Sequence, residues 1–404
     1  MLPLQGIRIV DWTIHQAGPC ATMLLADMGA EVIKIETTDG GEAGRGAANV
    51  AGTNLGLANG LSYTFEVYNR NKKSMAIDLS TQEGKEIIYA LTAVSDVFVQ
   101  NLRTGVASRL GLGYETLRQH NPNIIYANCS GYGHRGPRAS SPAMDPAVHA
   151  ASGMMLGVGE PEMPPIHIIG AMADMTTAMM LANSITSALV CRHLTGIGQE
   201  VHVSMLGTRL WIQSNNILYT LLTGKSRPRQ SRLAAPNPLV NHYRCQDDRW
   251  VLLAHFQADK YWSKLCGALG LGEVETDPRF QGNGPRRENS EALIQIMNDA
   301  FATRTRDEWM PILEAAGLIA SPILDYLEVI NDPQVLENDY LPEFDHPVLG
   351  KIRETGIPIE FSETPGSIRE PAPQLGQHTE EVLIDLLGYT WPDIERLQDK
   401  KVIL

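Results

Sequence analysis

Short apolar runs alternate with longer segments of helical spacing along the first third of the chain. Runs such as IRIV and EVIKI are mostly apolar, which predicts strands buried on both faces. Repeated β-α-β units of this kind form a parallel sheet covered by helices. We therefore predict an α/β fold with a Rossmann-like, doubly wound parallel sheet. The predicted elements are strand Ile7–Trp12, helix Pro19–Met28, strand Glu31–Glu36, helix Ser80–Val94 with a Ser80/Glu83 capping box, strand Asp96–Leu102 and strand Asn123–Gly131.

The rest of the chain predicts a second, smaller domain and a return to the first. A basic, Pro-containing segment, Lys225–Arg232, predicts a linker. We expect a large domain over 1–224, a small α+β domain over 225–330 and a return segment over 331–404 that completes the large domain. The elements predicted here are helix Gly170–Thr195, strand Glu200–Leu206, helix Gly207–Leu222, hairpin His242–Ala254, helices Tyr261–Leu269, Ser290–Thr303 and Arg306–Ala316, and terminal helices His378–Gly388 and Trp391–Asp399.

Composition narrows the class of protein. The 404 residues are 43% hydrophobic, enough for a large core, and the net charge of −13 argues against a nucleic-acid partner. The five cysteines are scattered and form no CxxC pair, which fits free thiols in a reducing compartment. The first residues do not resemble a secretory signal, and the uncharged stretch Met175–Cys191 is short for a membrane span. We expect a cytoplasmic protein without a membrane partner.

Asp174 is the only charged residue between Ile168 and Cys191. No Lys or Arg lies between Arg138 and Arg192, so no cation close in sequence can pair with it. A carboxylate in an apolar helix is costly unless something holds it. Two interpretations fit: an N-cap for the amides of Met175 to Thr177, or a catalytic carboxylate with a perturbed pKa.

The turn after the first strand argues against dinucleotide binding, a common function of such a sheet. The strand is followed by His15-Gln16-Ala17-Gly18-Pro19 rather than the GxGxxG of dinucleotide enzymes, which counts against a dehydrogenase. The histidines show no metal-ligand spacing, so we predict no metal site.

Motifs spread over nearly the whole chain resemble one family, the class III (CaiB/BaiF-type) coenzyme A transferases, which include formyl-CoA transferase and carnitine CoA transferase. Any one segment is weak evidence for the family, whereas all of them together, in the family's order, are specific evidence for it. The segments are GIRIVDWTIHQAGPCATMLLADMGAEVIKIE, YNRNKKSMAIDLSTQEGKE, DVFVQNLRTGVASRLGLGYETL, NPNIIYANCSGYGHRGP, DPAVHAASG, GAMADMTTAMM, RHLTGIGQEVHVSM and PAPQLGQHTEEVL.

The resemblance implies a reaction and an assembly. The family's nucleophile is an Asp that opens the helix leading to a TGxGQ turn, which is Asp174 here. It moves coenzyme A from an acyl-CoA donor to a free carboxylic acid through an aspartyl mixed anhydride and an aspartyl-CoA thioester. The resemblance implies no tightly bound cofactor, with coenzyme A thioesters as substrates. It also implies an interlocked homodimer, or a heteromer with a paralogous subunit.

The matching motifs also imply where the coenzyme binds. The Lys and Arg side chains among these positions suit the phosphates of the 3′-phospho-ADP end, although each also fits a solvated surface charge. Amides near Gly131 and Gly133 are candidate oxyanion donors. The implied contacts are Gln16 and Ala17 in the first βα turn, Asn71, Lys72 and Lys73 in the basic cluster, Asn101, Leu102, Arg103 and Arg109 after the third strand, and Gly131, Tyr132 and Gly133 in the SGYG motif.

Two departures from formyl-CoA transferase bear on the substrate. A lysine before the GY pair is Ser130 here, and the glycine-rich loop of the small domain has no counterpart in Ala234–Cys245. Both argue against oxalate and formate. We expect the small domain and the stretch Gly40–Gly60 to select the acid.

Two rival functions remain open. The family's 2-methylacyl-CoA racemases use a His–Asp pair as two bases, but the residue before Asp145 is Met144, which cannot titrate. His149 follows later in the same segment, and we expect it to project elsewhere. The other rival is a non-catalytic, CoA-binding subunit of a heteromeric transferase.

Overall fold

A six-stranded parallel sheet forms the centre of the larger part of the molecule. The structure is a computed structural model that describes residues 1–46, 49–50, 53–54, 56–57 and 60–404. The sheet strands are β1 (Arg8–Trp12), β2 (Glu31–Glu36), β5 (Lys72–Ala76), β6 (Val97–Gln100), β7 (Ile125–Ser130) and β8 (Glu200–Ser204), and β3 (Asn49–Val50) and β4 (Thr53–Asn54) form a separate two-residue pair.

The strand order is β5-β2-β1-β6-β7-β8, and every pair is parallel. The chain thus builds outward from β1 first in one direction and then in the other, so the order reverses between β1 and β6. Turns that leave the carboxyl ends of strands on either side of such a point diverge and open a crevice where ligands bind. The predicted parallel α/β sheet is confirmed.

Helices cover both faces of this sheet. On one face α1 and α8 pack through a cluster that includes Ile9, Ala21 and Leu181. On the other face, Val10 packs in a second cluster with residues of α3 and α19. The helices of this part are α1 (Ala17–Asp27), α2 (Tyr63–Asn69), α3 (Gln82–Ala93), α4 (Val106–Arg109), α5 (Tyr114–His120), α6 (Asp145–Ala151), α7 (Met154–Gly157), α8 (Met172–Thr195), α9 (Met205–Trp211) and α10 (Ser214–Thr223), with α18 (Thr379–Glu381), a π-helical turn over Val382–Leu386 and α19 (Trp391–Asp399) near the end of the chain.

The chain divides into two compact units. The larger comprises Met1–Met155, His167–Lys225 and Leu336–Leu404, and the smaller comprises Leu156–Ile166 and Ser226–Val335. The segment Leu156–Ile166, which the sequence placed in the large domain, therefore groups with the small one. It does so partly because Arg229 donates to the carbonyl oxygens of Leu156 (3.0 Å) and Glu160 (3.3 Å).

The smaller unit has a three-stranded antiparallel sheet and its own core, in which residues such as Tyr243, Trp262 and Leu313 are buried. Its elements are β9 (Val240–Arg244), β10 (Trp250–Ala254) and β11 (Ala320–Ile323), with helices α11 (Ala258–Leu269), α12 (Gly272–Thr276), α13 (Asn283–Glu288), α14 (Ser290–Phe301), α15 (Arg306–Ala315) and α16 (Tyr326–Val329), and short 3₁₀ turns at Arg232–Ala234 and Pro278–Phe280. Helix α17 (Pro333–Glu337) lies at the division, and β12 (Glu343–His346) pairs with β13 (Gly350–Arg353) in the larger unit.

No helix in the part of the chain that the structure describes is long and apolar enough to cross a membrane. All five cysteines lie among the described residues and are free thiols.

Three sequence-based predictions about elements are wrong. The side chain that caps α3 is Thr81, which accepts from the amide of Gly84 (3.0 Å), so the predicted capping box at Ser80 does not form. The helix predicted over Gly207–Leu222 is two helices, α9 and α10. Strand β5 was missed, because its charged start, Lys72-Lys73-Ser74, does not look like a buried strand.

Strand β5 sends its two lysines to opposite faces of the sheet, as successive strand residues must. Lys72 is buried, and its Nζ donates to Asp11 Oδ2, the Pro19 carbonyl and Asn69 Oδ1, each at 2.9 Å. Burial alone raises the pKa of Asp11, but the charges of Lys72 and Lys34 and hydrogen bonds from threonines outweigh it and lower this pKa to about 2. The pair ties the edge strand to β1 and to the start of α1.

We expect Lys72→Met to destabilise the protein by about 3–5 kcal/mol, because it leaves the buried Asp11 carboxylate unpaired. Lys73→Met is the matched control: Lys73 is one-third exposed and pairs with Glu31 and Glu381, so its loss should cost less than about 1 kcal/mol. Urea denaturation at pH 7 measures both. Equal losses for the two variants would contradict the structural role of the buried pair.

Candidate active site

Asp174 lies in the first turn of α8, the longest helix of the larger unit. The helix begins at Met172, after Gly170 and Ala171 have both taken left-handed backbone conformations (φ 87° and 50°). Asp174 is partly buried. Burial, and then the negative charge of Asp145, raise the pKa of Asp174 to about 7. A carboxyl group whose pKa is raised in this way is a candidate for chemistry.

The interpretation of Asp174 as an N-cap is wrong. The residue at the cap position is Ala171, and the carboxylate that serves the free helix amides comes from another helix. Asp145, the first residue of α6, accepts from the amides of Ala173 (2.6 Å) and Asp174 (3.2 Å) through Oδ2. The helix N-terminus therefore stabilises the Asp145 charge, while the Asp174 side chain stands beside it.

Two more residues complete the surroundings of this carboxylate pair. His149 is fully buried on α6, and its Nε2 lies 3.2 Å from Asp145 Oδ1. The expectation that His149 projects away from the racemase position is confirmed, because its side chain is buried whereas that of Met144 is 60% exposed. His149 shares a face of α6 with Asp145, since residues four apart on a helix are neighbours. Arg209 of α9 is also buried, and its guanidinium donates to the Met172 carbonyl (3.2 Å) and to Thr176 Oγ1 (3.4 Å). Tertiary structure thus brings a cation close enough to interact with the charge of Asp145.

Asp174 lies close enough to two buried thiols for its charge to act on both. Burial is the main cause that raises the pKa of the Cys20 and Cys129 thiols to about 12, and the charge of Asp174 adds to it in both cases. Cys20 lies in the first turns of α1, and Cys129 lies near the end of β7. Ala173 packs in one apolar cluster with Tyr132. The first βα turn, the SGYG turn and Asp174 therefore meet at one place.

The turns on either side of the switch point are joined. Asn101, after β6, donates through Nδ2 to the Ile14 carbonyl (2.7 Å) and accepts from the Ile14 amide through Oδ1 (2.9 Å). Gln16 and Ala17 follow directly, at the start of α1, where helix amides and the helix dipole suit a phosphate. Because its side chain is used in this clamp, Asn101 positions the turn rather than offering its amide to a ligand.

The SGYG turn is shaped by its glycines. A Cβ on Gly131 would lie 2.0 Å from that of Ala143, so only glycine fits there. Gly133 has φ +96°, and its amide donates to Ser130 Oγ (3.1 Å). This bond makes the amide of Gly133 a poorer candidate for an oxyanion donor than the sequence suggested, and it gives Ser130 a role in holding the turn. Tyr132 carries the guanidinium of Arg138 over its ring, 3.6 Å from the centroid.

The predicted phosphate contacts separate into two groups. Arg103, in the turn after β6, and Arg109, at the end of α4, are both exposed. The basic cluster at the start of β5 has its side chains engaged within the protein: Lys72 has three acceptors, Lys73 pairs with acidic side chains, and Asn71 Nδ2 donates to Asp27 Oδ1 (2.7 Å). Contact of these three residues with the coenzyme stays a prediction. Leu102, also in the turn after β6, is partly buried, and its amide donates to Gln100 Oε1 (2.7 Å).

Sequence reasoning missed Asp145, His149 and Arg209 as neighbours of Asp174. The spacing of Asp145 and His149 was the available signal, because an Asp-Pro pair is a common helix start and places the two on one face. Nothing in the sequence pointed to Arg209. The stretch Gly40–Gly60, where acid selection was expected, lies partly outside the described residues.

Comparisons with known proteins agree on one family. Residues 4–379 match the model of CoA-transferase family III. The chain is 32% identical over 403 residues to succinyl-CoA:glutarate CoA-transferase of Mus musculus, covering 100% of this chain and 91% of the relative. It is 31% identical over 404 residues to (R)-2-hydroxy-4-methylpentanoate CoA-transferase of Clostridioides difficile, covering 99% of each.

Solved structures show the same relationship. The crystal structure of a CaiB/BaiF family protein from Brucella suis aligns with a TM-score of 0.83 at 29% identity, over 95% of this chain and 99% of that one. The resemblance drawn from the motifs is confirmed. The chain therefore belongs to CoA-transferase family III and is an enzyme of that class.

Proposed function

We propose that Asp174 is the covalent nucleophile that moves coenzyme A from an acyl-CoA donor to a free carboxylic acid. The observation that carries this proposal is a partly buried carboxyl group with a pKa raised to about 7, in the first turn of α8 beside Asp145. A poorly solvated carboxylate is more nucleophilic than one in water, and helix α8 fixes its direction.

The bonds balance without an added proton or cofactor. Asp174 attacks the thioester carbonyl, the C–S bond breaks, and coenzyme A departs as the thiolate. A mixed anhydride between Asp174 and the donor acyl group remains. The thiolate attacks the aspartyl carbonyl, which releases the donor acid as a carboxylate and forms an aspartyl-CoA thioester. The acceptor carboxylate attacks this thioester and expels the thiolate, giving a second anhydride. The thiolate then attacks the acceptor's acyl carbon, which forms the product and restores Asp174.

The coenzyme fits the switch point. Arg103 and Arg109 supply exposed positive charge for phosphates, and the start of α1 at Gln16 and Ala17 supplies amides. The thioester end then lies toward Tyr132 and Asp174. The acceptor is a carboxylic acid whose identity is not carried by these residues, because the two named relatives use acids as different as glutarate and 2-hydroxy-4-methylpentanoate.

The racemase alternative has no support from the geometry. The side chain of His149 has no exposed surface, and Met144 in the racemase position points out with 60% of its surface exposed. Two-base exchange needs a second titratable group that reaches the α-carbon. Solvent deuterium entering the α-position of a 2-methylacyl-CoA without an acceptor acid would revive this alternative.

We also propose that two copies of the chain form the interlocked dimer implied by the family. Helix α10 has the sequence SNNILYTLLT, yet it buries none of its residues within one chain. Its Leu221 and Leu222 are 76% and 77% exposed, and Leu194 near the end of α8 is 76% exposed. Large apolar side chains that stay exposed along a helix are typical of an interface.

Asp174→Ala should reduce coenzyme A exchange by about 10³-fold or more, because no carboxylate remains to form the anhydride. The assay follows isotope-labelled coenzyme A entering succinyl-CoA, with glutarate as the acceptor probe, and calorimetry checks that coenzyme A still binds. Mass spectrometry of wild type with succinyl-CoA and hydroxylamine should place the adduct on the peptide that contains Asp174. Exchange at the wild-type rate in Asp174→Ala, across a panel of donors and acids, would rule out the mechanism. A purified wild-type chain that turns over no pair would favour the non-catalytic subunit.

The exchange rate should rise with pH through about 7, because Asp174 must lose its proton to attack. Asp145→Asn removes the neighbouring charge while keeping an oxygen for the helix amides. The midpoint should then move to lower pH, although burial, the larger cause, remains. Initial rates from pH 5 to 9 test this. An unmoved midpoint would mean that Asp145 does not act on Asp174.

Light scattering should find a dimer at micromolar concentration, and the double variant Leu221→Asp/Leu222→Asp should weaken it through charge repulsion in the interface. Val94→Asp is the matched control, because Val94 is an isolated apolar residue with 43% exposure. Interlocked chains should exchange between labelled dimers only after unfolding. A wild-type monomer would overturn the assembly.

A further inference from the structure

His149 is a buried histidine without an aligned hydrogen bond. Its side chain has no exposed surface, and neither ring nitrogen has a hydrogen-bond partner among the described residues. A buried polar group left without a partner costs free energy, so the ring is expected to have a partner within reach. Nε2 lies 3.2 Å from Asp145 Oδ1, which is within hydrogen-bond distance.

The two oxygens of Asp145 have different neighbours. Oδ2 accepts from the amides of Ala173 (2.6 Å) and Asp174 (3.2 Å) at the start of α8. Oδ1 faces His149 on the other side. The position of the Asp145 carboxylate therefore depends on the helix amides and on the imidazole together, and the position of the first turn of α8 depends on Asp145.

We propose that His149 is a positioning residue for the nucleophile: as a neutral imidazole it donates Nε2–H to Asp145 Oδ1, holds this carboxylate against α8 and so orients Asp174. The role rests on the proposed function of Asp174. His149 does not touch the substrate, because it is enclosed by protein. It acts through Asp145.

The surrounding charges favour the neutral ring. Burial lowers the pKa of His149 most, the Asp145 charge opposes this, and the charges of Arg209 and His167 add to the lowering. Asp145 lies on α6, Arg209 lies on α9, and His167 lies in the segment before α8. Asp174 lies on α8. Tyr68, Cys20 and Cys129 also feel the charge of Asp174 but are neutral themselves near pH 7. With a neutral ring, His149 adds no positive charge that would offset the charge of Asp145 beside Asp174.

Two substitutions separate positioning from packing. His149→Leu fills the space but cannot donate, whereas His149→Gln keeps an N–H donor and does not titrate. The measurement is single-turnover adduct formation with succinyl-CoA from pH 5 to 9. We expect His149→Leu to lower the maximal rate about 10-fold through misplacement, and to move the midpoint about 0.5 unit or more to lower pH, because a carboxylate of Asp145 that is no longer held in place acts less strongly on Asp174. His149→Gln should restore the rate to within about 3-fold and leave the midpoint unmoved.

A second measurement does not depend on catalysis. Asp174 is protonated in the fold up to about pH 7 but ionises near 3.8 when unfolded, so wild type loses stability relative to Asp174→Asn as pH rises between these values. Urea denaturation from pH 4 to 8 measures the free energy of unfolding with and without Asp174→Asn. The pH near which the difference between the two stops changing gives the midpoint for Asp174 in the fold, and the same pair is measured in the His149→Leu background. His149→Leu should move it to lower pH. If wild type forms no adduct but the midpoint moves, the proposed function fails, whereas the action of His149 on Asp174 through Asp145 is retained.

The controls decide between the remaining outcomes. In Asp145→Asn, adding His149→Leu should move the midpoint no further, since the imidazole acts through Asp145. His255→Leu, at another fully buried histidine, should leave it unmoved. A wild-type rate and midpoint in His149→Leu would overturn the inference. An alkaline shift in His149→Gln would also overturn it, because it would show that the ring is a cation. If His149→Leu does not fold, His149→Gln carries the test: a rate within about 3-fold of wild type and an unmoved midpoint support the inference, and a larger loss of rate or an alkaline shift overturns it.

Discussion

The site depends on the amides at the start of α8, which stabilise one of two neighbouring carboxylates far more than the other. The start of α8 offers amides that can stabilise a negative charge, and Asp145 takes two of them. Asp174, in the same turn, receives little of this stabilisation and feels the charge of Asp145 instead. The arrangement holds one carboxylate in place by hydrogen bonds and leaves the other poorly stabilised. That difference is what a carboxylate nucleophile needs, because strong solvation would lower its reactivity.

A second aspartate, Asp11, which contacts Thr22 of α1, has the opposite shift of pKa and a structural role. Asp11 is fully buried, yet its pKa falls to about 2 because Lys72, Lys34 and two threonines surround it. Asp174 is less buried, yet its pKa rises. Environment rather than residue type thus separates a carboxylate that holds the sheet together from one that is available for chemistry.

Much of this could be predicted from the sequence because it is local. Apolar runs and their spacing determine the strands and helices, and the motif order indicates the family. What could not be predicted depends on partners distant in the chain. Lys72 looked like a surface charge because its acceptor Asp11 lies 61 residues away. The places of His149 and Arg209 beside Asp174 become visible only in the folded protein, where α6 and α9 pack against the start of α8.

The clamp between Asn101 and Ile14 has a consequence for how a ligand is received. Two opposed hydrogen bonds join the turn after β1 to the turn after β6, in the way that neighbouring strands are joined. The two walls of the crevice therefore share one rigid frame, and their separation is set when the protein folds. A ligand that enters does not have to order these walls, so the entropy lost there on binding is mainly its own.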